Sequence, residues 1–465
     1  DLGLRLRLDR GPQLHDPGRP GHVPRLCALR LRALRPPAGA PGYCMIKYRP
    51  DLKISPRVIV RIGILRALAN RNYRIYACGN SASMVGTWVQ RVAVGWLTWE
   101  LTQSTMWLGM IAFAELLPTL LIGLFAGAIA DRANKLQLFK ISQILAVLQS
   151  AVLWWLTFTG LITAELLLIC TLYLGFVYGF AQPVRLALIP SLVRSNDLHA
   201  AISCNSLFFN IARVIGPMIA GAVIVNWNIA HAFGINIATY LVLLWASSFL
   251  ITADGNSKRQ KSSGMLSGIK EGVCYALTHK SIRPMFLLFA ITATFGRPFA
   301  ELLPGLAADV LNRGALELAW LTSSTGAGAI VAGVFLSQQR HTTGLQRLVL
   351  INTALFGASL IFLVASTLFW VAVPCTMVAG FSMVVCAVGV QSIVQTQVAD
   401  EFRGRVLSLY GFIFRAGVGL GSLCLGALAS DFGLPWPIRA AALVCVIAAV
   451  LGWITLRPHP QPNAT

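Results

Sequence analysis

The sequence predicts an all-α integral membrane protein in which twelve transmembrane helices form two pseudo-symmetric six-helix bundles. The chain has 465 residues, of which 56% are hydrophobic and only 12% are charged, whereas soluble proteins carry about 25% charged residues. It contains twelve apolar runs of the length that spans a bilayer, which is about 20 residues for a helix. A polar stretch separates the sixth run from the seventh. Soluble fold classes are therefore excluded.

The twelve apolar runs define the predicted helices and the domain boundaries. They cover residues 75–99, 106–130, 137–160, 163–189, 205–226, 229–252, 285–311, 316–337, 346–366, 369–396, 406–429 and 436–456. Most connections have only a few residues, so neighbouring runs are predicted to form antiparallel hairpins. We therefore expect an N-terminal bundle at 75–252, a cytoplasmic linker at 253–284, a C-terminal bundle at 285–456 and a cytoplasmic tail at 457–465.

The segment before the first run has two parts of different composition. Residues 1–44 contain eight Arg, no Lys and many Pro and Gly, and the first methionine is Met45. We expect 1–44 to be a disordered segment or a translated upstream extension, since it has no apolar core of a signal peptide. Residues 45–74 form a basic cytoplasmic lead-in. Within it, arginines alternate with apolar residues from Pro56 to Tyr73, which predicts an amphipathic helix on the inner leaflet.

The orientation in the membrane follows from the basic loops. Basic residues crowd the loops on one side of the predicted bundles, whereas the other side carries few, among them Arg313 and Arg439. Loops rich in Lys and Arg stay in the cytoplasm, so both termini are predicted to be cytoplasmic. The net charge of +21 has the same explanation. We expect no nucleic acid partner, because no basic groove with aromatic residues is visible.

Two internal matches indicate that the halves are repeats. "SLFFNIAR" at 206–213 begins the fifth run, and "SLYGFIFR" at 408–415 begins the eleventh, at an offset of 202 residues. At an offset of 206, Arg91 aligns with Arg297, and the pair Gly127 and Asp131 aligns with Gly333 and Ser337. Parallel six-helix repeats of this kind are a transporter architecture.

An acid and a base stand together at the cytoplasmic end of the second run. The stretch "GLFAGAIADRANKLQL" places Gly127, Asp131, Arg132 and Lys135 between two apolar runs. The carboxylate can accept hydrogen bonds from the N–H groups that begin a neighbouring helix. Such contacts would exist only while the two halves are closed on the inside, so the motif is predicted to be a conformational latch. The alternative is an ordinary basic cytoplasmic loop.

The segment "GAIADRANK" resembles the signature loop of the major facilitator superfamily, Gly-x-x-x-Asp-Arg-x-Gly-Arg-Lys, with Asn134 in place of the second Gly and Leu136 in place of the last base. "AFAELLPTLLIGLFAGAIADR" and "ADEFRGRVLSLYG" resemble the branch that contains the enterobactin exporter, also called the transmembrane secretion effector group. The resemblance implies a secondary transporter of the bacterial inner membrane. It also implies that Asp131 docks on the start of span eleven, near Arg403 and Arg405.

The stretch "IGPMIAG" lies in the fifth run and contains Gly216, Pro217 and Gly221. A proline inside a membrane helix frees a carbonyl group and permits a bend. The motif resembles the fifth-helix motif of exporting antiporters in the same superfamily, and so favours export over import. Ordinary close packing of helices through the two glycines is the alternative.

Charged side chains inside the apolar runs mark the candidate solute cavity. A charge at the bilayer centre costs about 2.5–3.5 kcal/mol, so it should face a partner or water. We expect Arg297 and Glu301, four residues apart on one helix, to pair. Trp88 and Phe295 are predicted to stack on the solute. The predicted cavity residues are Gln90, Arg91, Arg213, Arg297, Arg415, Asn205, Gln391 and Gln395, with Gln182 and Asn210 as further polar groups. The alternative is that these arginines only hold the bundle together.

The sequence predicts a proton-coupled exporter of a small organic solute, such as a siderophore, a drug or a related metabolite, that works by alternating access. The surplus of arginine favours an anionic or catechol- or carboxylate-bearing solute. Glu115 and Glu301 are the proton-coupling candidates, because a buried carboxyl group can exchange a proton near neutral pH. An uptake permease is the alternative. An enzyme or a sensor is disfavoured, because no convergent catalytic set and no signalling domain is visible.

The expected partners are a small-molecule substrate, a proton or other ion gradient and the lipid bilayer, with the chain acting as a monomer. No ATP-binding motif occurs in the sequence, so the energy source must be a gradient. No cofactor, metal site or disulfide is expected, because the ten cysteines are scattered singly and the seven histidines are dispersed.

Overall fold

The computed structural model describes residues 65–130, 134–251, 273–276, 278–279, 282–339 and 344–455, with the backbone alone for 123–130 and Asp400. The predicted segment 1–44, most of the lead-in and linker, and the tail lie outside the described residues. So do Asp131 and Arg132 of the predicted latch.

The six helices of the N-terminal half follow the predicted runs closely. They are α1 (Arg71–Thr102), α2 (Thr105–Ala130), α3 (Lys135–Phe158), α4 (Ala164–Leu192), α5 (Leu198–Asn226) and α6 (Ile229–Ser248). Polar caps set several of their starts. Asn70 caps α1, and Asn134 caps α3 by accepting hydrogen bonds from the N–H groups of Leu136 and Gln137 at 3.0 and 3.1 Å. Asn134, which stands in place of the second Gly of the superfamily signature, thus caps the start of a helix.

The C-terminal half repeats the arrangement, except that its first span is broken. The broken segment, called α7, comprises Ile282–Ala300 and Leu303–Val310, which meet at a bend of 44°. The other helices are α8 (Ala315–Ser337), α9 (Leu345–Ala365), α10 (Phe369–Gln397), α11 (Asp400–Phe432) and α12 (Pro435–Thr455). Pro298 and Pro304 cannot donate backbone hydrogen bonds. Accordingly, π-helical turns at Thr292–Gly296 and Leu306–Val310 and a 3₁₀ turn at Arg297–Ala300 interrupt the regular helix.

The described helices confirm the prediction of an all-helical, multi-pass membrane protein with two six-helix bundles. Ten helices in the described ranges are long and apolar enough to span a bilayer, and α7 makes eleven. Helix α1 is less apolar, but it packs against α5 and α6. Large apolar side chains such as Trp245 and Trp370 are 68% and 76% exposed, and lipid explains this exposure.

The two bundles meet through α2 against α11 and through α5 against α8. The end that carries the α1–α2 and α11–α12 connections is called the outer end, and the opposite one the inner end, after the predicted orientation. Near the outer end, Thr105 donates a hydrogen bond to the Gly426 carbonyl at 2.9 Å. A Cβ atom on Gly221 would lie 2.6 Å from the Cβ of Ala319. Small residues therefore let the bundles touch there.

The buried cores show that the bundles are joined at the outer end and separate at the inner end. One large core combines residues of both halves, including Trp96 and Leu97 of α1, Leu302 of α7 and Leu434. Toward the inner end, each half has a core of its own. The N-terminal core contains Tyr73, Phe139 and Leu188, and the C-terminal core contains Phe286, Phe289 and Val390. Among the described core residues, the two bundles therefore share a core at the outer end and have separate cores at the inner end.

Replacing Gly380 with valine is expected to destabilise the C-terminal bundle. A Cβ atom at Gly380 would collide with the carbonyl oxygen of Thr325, where α8 and α10 cross backbone to backbone. Overpacking of this kind costs about 1–3 kcal/mol. The matched control is Gly333→Val on the exposed face of α8, where a Cβ atom meets nothing within 4 Å. Thermal unfolding in detergent, followed by tryptophan fluorescence, should show a lower Tm for the first variant only. Equal Tm values would contradict the close crossing.

Candidate functional site

A cavity of about 720 Å³ lies between the two bundles. Small-molecule sites in proteins measure roughly 300–1,000 Å³. The walls come from α1, α2 and α5 on one side and from α7, α8, α10 and α11 on the other. Its polar and aromatic lining residues are Trp88, Arg91, Asn205, Ser206, Phe209, Asn210, Arg213, Arg297, Glu301, Thr322, Thr325, Gln391, Tyr410, Phe414 and Arg415.

The cavity is closed on one side and lined by exposed residues on the other. Its outer lining contains Leu303, Pro304 and Leu318, all of which are buried. The inner lining contains Phe209 and Arg415, which are exposed. The described part of the cavity therefore opens toward the inner end, as the separate inner cores also indicate.

An ion pair between the bundles lies in the cavity wall. Arg91 of α1 donates a hydrogen bond from Nη2 to Oε1 of Glu301 on α7 at 2.6 Å. Its Nη1 atom lies 3.7 Å from Oε1 of Glu115 on α2. One guanidinium group therefore holds two carboxylates, one tightly and one loosely, and the tight pair joins the two halves of the molecule.

The predicted pair between Arg297 and Glu301 is wrong. Arg297 begins a 3₁₀ turn and Glu301 lies in the bend that follows it, so the spacing of a regular α-helix does not apply. The Arg297 guanidinium instead lies over the Phe414 ring, with its Cζ atom 3.8 Å from the ring centroid. Glu301 is left to bind Arg91.

Three cavity arginines have no carboxylate within 4.0 Å among the described residues. Arg213 lies over the Trp88 ring at 5.7 Å, Arg297 lies over Phe414, and Arg415 donates a hydrogen bond to the Gly411 carbonyl of its own helix at 3.5 Å. Cation–π contacts and one backbone carbonyl do not neutralise these charges. The arrangement can therefore attract an anion and stack against a planar group.

Some of the predicted polar residues line the cavity and others do not. Asn205, Asn210 and Gln391 are in the lining. Gln90 is buried inside the N-terminal bundle, where it accepts hydrogen bonds from Ser150 and Asn236 at 2.7 Å each. Gln395 lies one helical turn beyond Gln391, toward the inner end of α10, and it is exposed and outside the lining. Gln182 and Phe295 are also exposed and outside the lining.

Comparison with known families shows which family the chain belongs to. Residues 62–463 match the family described as transmembrane secretion effector. The chain belongs to this family. Its members are major facilitator transporters, so this chain is a transporter too.

Curated relatives of this transmembrane secretion effector protein are bacterial transporters. The staphyloferrin A transporter of Staphylococcus aureus is 26% identical over 370 residues, which are 78% of this chain and 91% of that protein. Macrolide efflux protein A of Streptococcus pyogenes is 20% identical, with 81% and 94% covered. The multidrug efflux pump Tap of Mycobacterium tuberculosis is 26% identical, with 79% and 89% covered.

Solved structures agree with the fold of this family member. The nucleoside transporter NupG superposes with a TM-score of 0.64 at 12% identity, over 84% of this chain and all of that one. A bacterial homologue of the lysosomal transporter Spinster, in an inward-facing and unoccupied conformation, also gives 0.64 at 14% identity, over 85% and 96%. These likenesses concern the fold alone.

The described part of the predicted latch lies around two helix starts. Gly127 is in the last turn of α2 and Lys135 begins α3. On the opposite bundle, Arg403 donates a hydrogen bond to the Val398 carbonyl at 3.4 Å, and Arg405 lies over the Phe402 ring at 5.5 Å. The role of these residues in this transmembrane secretion effector protein remains a prediction.

The helix-bend motif of this family member is a packing site in the structure. Helix α5 continues through Pro217 without a break. A Cβ atom at Gly216 would collide with Trp88 of α1, and one at Gly221 would collide with Ala319 of α8. The described conformation thus shows the close packing that was the alternative interpretation.

Of the aromatic side chains that line the cavity, Trp88 is predicted from the sequence and three others are not. Phe209, Tyr410 and Phe414 all line it. A signal for Phe209 was available, since it lies four residues before Arg213 and therefore on the same face of α5. Phe414 has no such signal, because it is defined by its contact with Arg297 on another helix.

Proposed function

We propose that this chain is a proton-coupled exporter of an organic anion that works by alternating access. The observation that supports it is the cavity between the bundles, in which Arg213, Arg297 and Arg415 have no carboxylate partner among the described residues. Arg213 and Arg297 are half-buried and Arg415 lies at the exposed inner side of the cavity. Partly desolvated cations without a partner are unfavourable, so a bound anion would stabilise them.

The lining favours an anion with planar groups. Trp88 lies near two of the arginines, with Arg91 at 5.6 Å and Arg213 at 5.7 Å from its ring centroid, and Phe209 meets it edge-on at 6.0 Å. Carboxylates bind guanidinium groups through two parallel hydrogen bonds, and aromatic rings offer stacking surfaces. A carboxylate- or catechol-bearing metabolite therefore matches the site better than a cationic drug does.

In this proposal, Arg91 and its two carboxylate neighbours, Glu115 and Glu301, couple transport to the proton gradient. Glu115 is the proton carrier. Glu301 accepts a hydrogen bond from Arg91 at 2.6 Å, whereas Glu115 is 3.7 Å from the same guanidinium group. The more weakly paired carboxylate is the one that can bind and release a proton with less disruption. Glu301 remains the permanent partner of Arg91 in this scheme.

Alternating access requires the shared outer core to open and the inner ends to close. The packing of Gly109 and Gly221 at the outer end supports a close contact that can form and separate. Closure at the inner end would bring Asp131 against the start of α11, near Arg403 and Arg405. The predicted latch, with Gly127, Arg132 and Lys135, belongs to that second state.

Export is the proposed direction because two relatives are named for efflux, the macrolide efflux protein A and the multidrug efflux pump Tap. The name of a third relative, staphyloferrin A transporter, gives no direction of transport. An uptake permease is the alternative, since the fold is common to both directions.

The remaining proposals concern activity, location and assembly. We propose that the chain is not an enzyme, that it lies in the bacterial inner membrane with both termini in the cytoplasm, and that it works as a monomer, because each chain contains both bundles. The proton gradient, the small-molecule solute and the bilayer are its proposed partners.

The test begins with a deletion strain whose retained and released metabolites are compared by mass spectrometry. We expect an organic anion to be retained in the cells and depleted from the medium, and to be restored by the intact gene. Arg213→Gln and Arg415→Gln should each lower its export by roughly ten- to hundredfold, the scale of one charge-assisted hydrogen bond. Arg313→Gln, in an exposed outer loop, is the control and should export normally.

Three results would contradict the proposal. A retained compound that is cationic at neutral pH would exclude the anion cavity. Depletion inside the cells, with accumulation outside, would indicate uptake. Full export by both arginine variants would show that these residues only support the fold.

A further inference from the structure

A stripe of polar residues runs along the buried face of α1. Tyr76, Asn80, Ser83, Thr87 and Gln90 are spaced alternately by four and three residues, which places them on one face of the helix. All except the half-buried Thr87 are at most 3% exposed. The stripe is about 21 Å long, at about 1.5 Å per residue. It explains why α1 is less apolar than the other helices.

Polar residues of α3 and α6 face the stripe, and together they form what we call the polar seam. Gln90 donates to Gln149 at 3.0 Å and accepts from Ser150 and Asn236 at 2.7 Å each. At the inner end of the seam, the ring of Tyr76 packs against Phe139 of α3 at 6.0 Å. The seam therefore lies inside the N-terminal bundle, behind the wall of the solute cavity.

Several buried polar atoms of the seam have no hydrogen-bond partner among the described protein atoms. They are the Tyr76 hydroxyl, Asn80 Oδ1, the Ser83 hydroxyl, Gln143 Oε1 and Gln149 Nε2. Buried polar groups in native proteins are almost always hydrogen-bonded, and bound water supplies the missing partners. Five such atoms, on polar residues of α1 and α3 inside one bundle, indicate a row of water sites rather than one isolated defect.

The seam is connected to the solute cavity near the inner end of the molecule. Asn80 donates a hydrogen bond from Nδ2 to Oδ1 of Asn205 at 2.9 Å. Asn205 lines the cavity and lies seven residues into α5 from its inner end. The Asn80 Oδ1 atom has no protein partner, so a water bound to it would lie one side chain away from the inner part of the cavity.

The other end of the connection leads toward Glu115. The hydroxyl groups of Thr87 and Tyr240 are 3.4 Å apart, and those of Tyr240 and Tyr178 are 2.9 Å apart. Gly175, one turn before Tyr178 on α4, packs against the backbone carbonyl of Glu115. A row of hydroxyl groups thus runs from the α1 stripe to the helix contact that holds Glu115.

We propose that the polar seam holds a chain of bound waters that carries protons between Asn205 and Glu115 behind the solute cavity. The proposal rests on the proposed function of Glu115 as the proton carrier. A proton released by the Glu115 carboxyl group passes along hydroxyl groups and waters, and each step breaks one O–H bond and forms another. Among the described residues, the titratable groups that face Glu115 are Arg91 on α1, Glu301 on α7 and Tyr178 on α4. The path lets the proton leave while a solute fills the cavity.

Radiolytic hydroxyl-radical footprinting tests whether the seam contains water, and it needs no solute. X-ray radiolysis of bound water oxidises the side chains next to it, even inside a protein. We expect Tyr76, Tyr178 and Tyr240 to be oxidised several-fold faster than Tyr73. Tyr73 is also buried, but its hydroxyl group donates to the Ala201 carbonyl at 2.7 Å. Equal, slow oxidation of all four tyrosines would show a dry seam and would overturn the proposal, whatever Glu115 does.

Proton release after a pH jump tests conduction, with the proton as the probe and a pH-sensitive dye as the reporter. The Glu115 component is the part of the signal that Glu115→Gln removes. Tyr240→Phe keeps the ring and removes the hydroxyl group, and should slow that component by roughly tenfold, the scale of one lost hydrogen bond. Ser382→Ala, which removes an unpartnered buried hydroxyl group from α10, is the control and should leave the rate unchanged.

The outcomes separate the two proposals. An unchanged rate in Tyr240→Phe, with the Glu115 component still present, would exclude the seam as the proton path but keep Glu115 as the carrier. If Glu115→Gln removes no component, the proposed coupling residue is itself wrong, and so is the path that leads to it. Equal slowing by Tyr240→Phe and Ser382→Ala would indicate a general structural effect and would also overturn the path.

Discussion

Replacing Glu115 with glutamine is expected to abolish proton-driven transport while solute exchange continues. Glutamine keeps the size and polarity of the side chain but cannot bind and release a proton. Arg91 keeps its bond of 2.6 Å to Glu301 in this variant, so the solute cavity and the contact between the bundles should remain. A gradient of one pH unit drives about a tenfold accumulation for each proton exchanged, and the variant should show none.

The measurement uses inside-out vesicles with an acidic interior and the labelled compound that the deletion strain retains. Accumulation against its gradient reports coupling, and exchange without a pH gradient reports binding and movement of the bundles. Glu165→Gln, at the exposed start of α4, is the matched control and should accumulate the compound normally. Full proton-driven accumulation by Glu115→Gln would contradict the assignment, and loss of accumulation by Glu301→Gln alone would transfer the role to Glu301.

Replacing Gly109 with valine is expected to open the outer end of the molecule. A Cβ atom at Gly109 would collide with the Ser422 carbonyl oxygen where α2 crosses α11, and it would lie 3.1 Å from the Cα atom of Leu423. Overpacking costs about 1–3 kcal/mol, which corresponds to a shift of roughly 5- to 160-fold in the equilibrium against the closed outer end. The arrangement in which the bundles share a core at the outer end would therefore lose population.

Cysteine accessibility measures this shift. A cysteine introduced at Leu302, which is fully buried in the shared outer core, should react faster with a membrane-impermeant maleimide added from outside in the Gly109→Val background. Gly404→Ala, on the part of α11 where a Cβ atom meets nothing within 4 Å, provides the control background. Unchanged labelling in a folded Gly109→Val protein would show that the α2–α11 contact does not close the outer end.

The helices could be predicted from the sequence because the bilayer imposes a simple rule. A helix that crosses lipid must satisfy its backbone internally and cover it with about 20 apolar residues. The predicted runs therefore agree with the helices to within a few residues in most cases, as with 346–366 against Leu345–Ala365. Helix α11 is longer than its run because its first turns contain Arg403 and Arg405, which a hydropathy criterion excludes.

The candidate site could be predicted only in part. A charged residue inside an apolar run is visible in the sequence, so Arg91, Arg213, Arg297 and Arg415 were found, and all four line the cavity. Gln90 has an equally unusual position, but its side chain points into the bundle. Which face of a helix is buried between neighbours depends on packing with other helices, and composition does not record it.

The membrane class and the spans are predictable from the residues alone because polar groups are costly in lipid, and the repeated halves are visible as internal sequence matches. The contact partners depend on how the helices pack. Arg91 binds Glu301 across the two bundles because the bend in α7 turns Glu301 away from Arg297. The polar face of α1 became a buried seam because α3 and α6 cover it. Contacts between distant segments depend on how helices bend and cross, and local sequence does not encode that geometry directly.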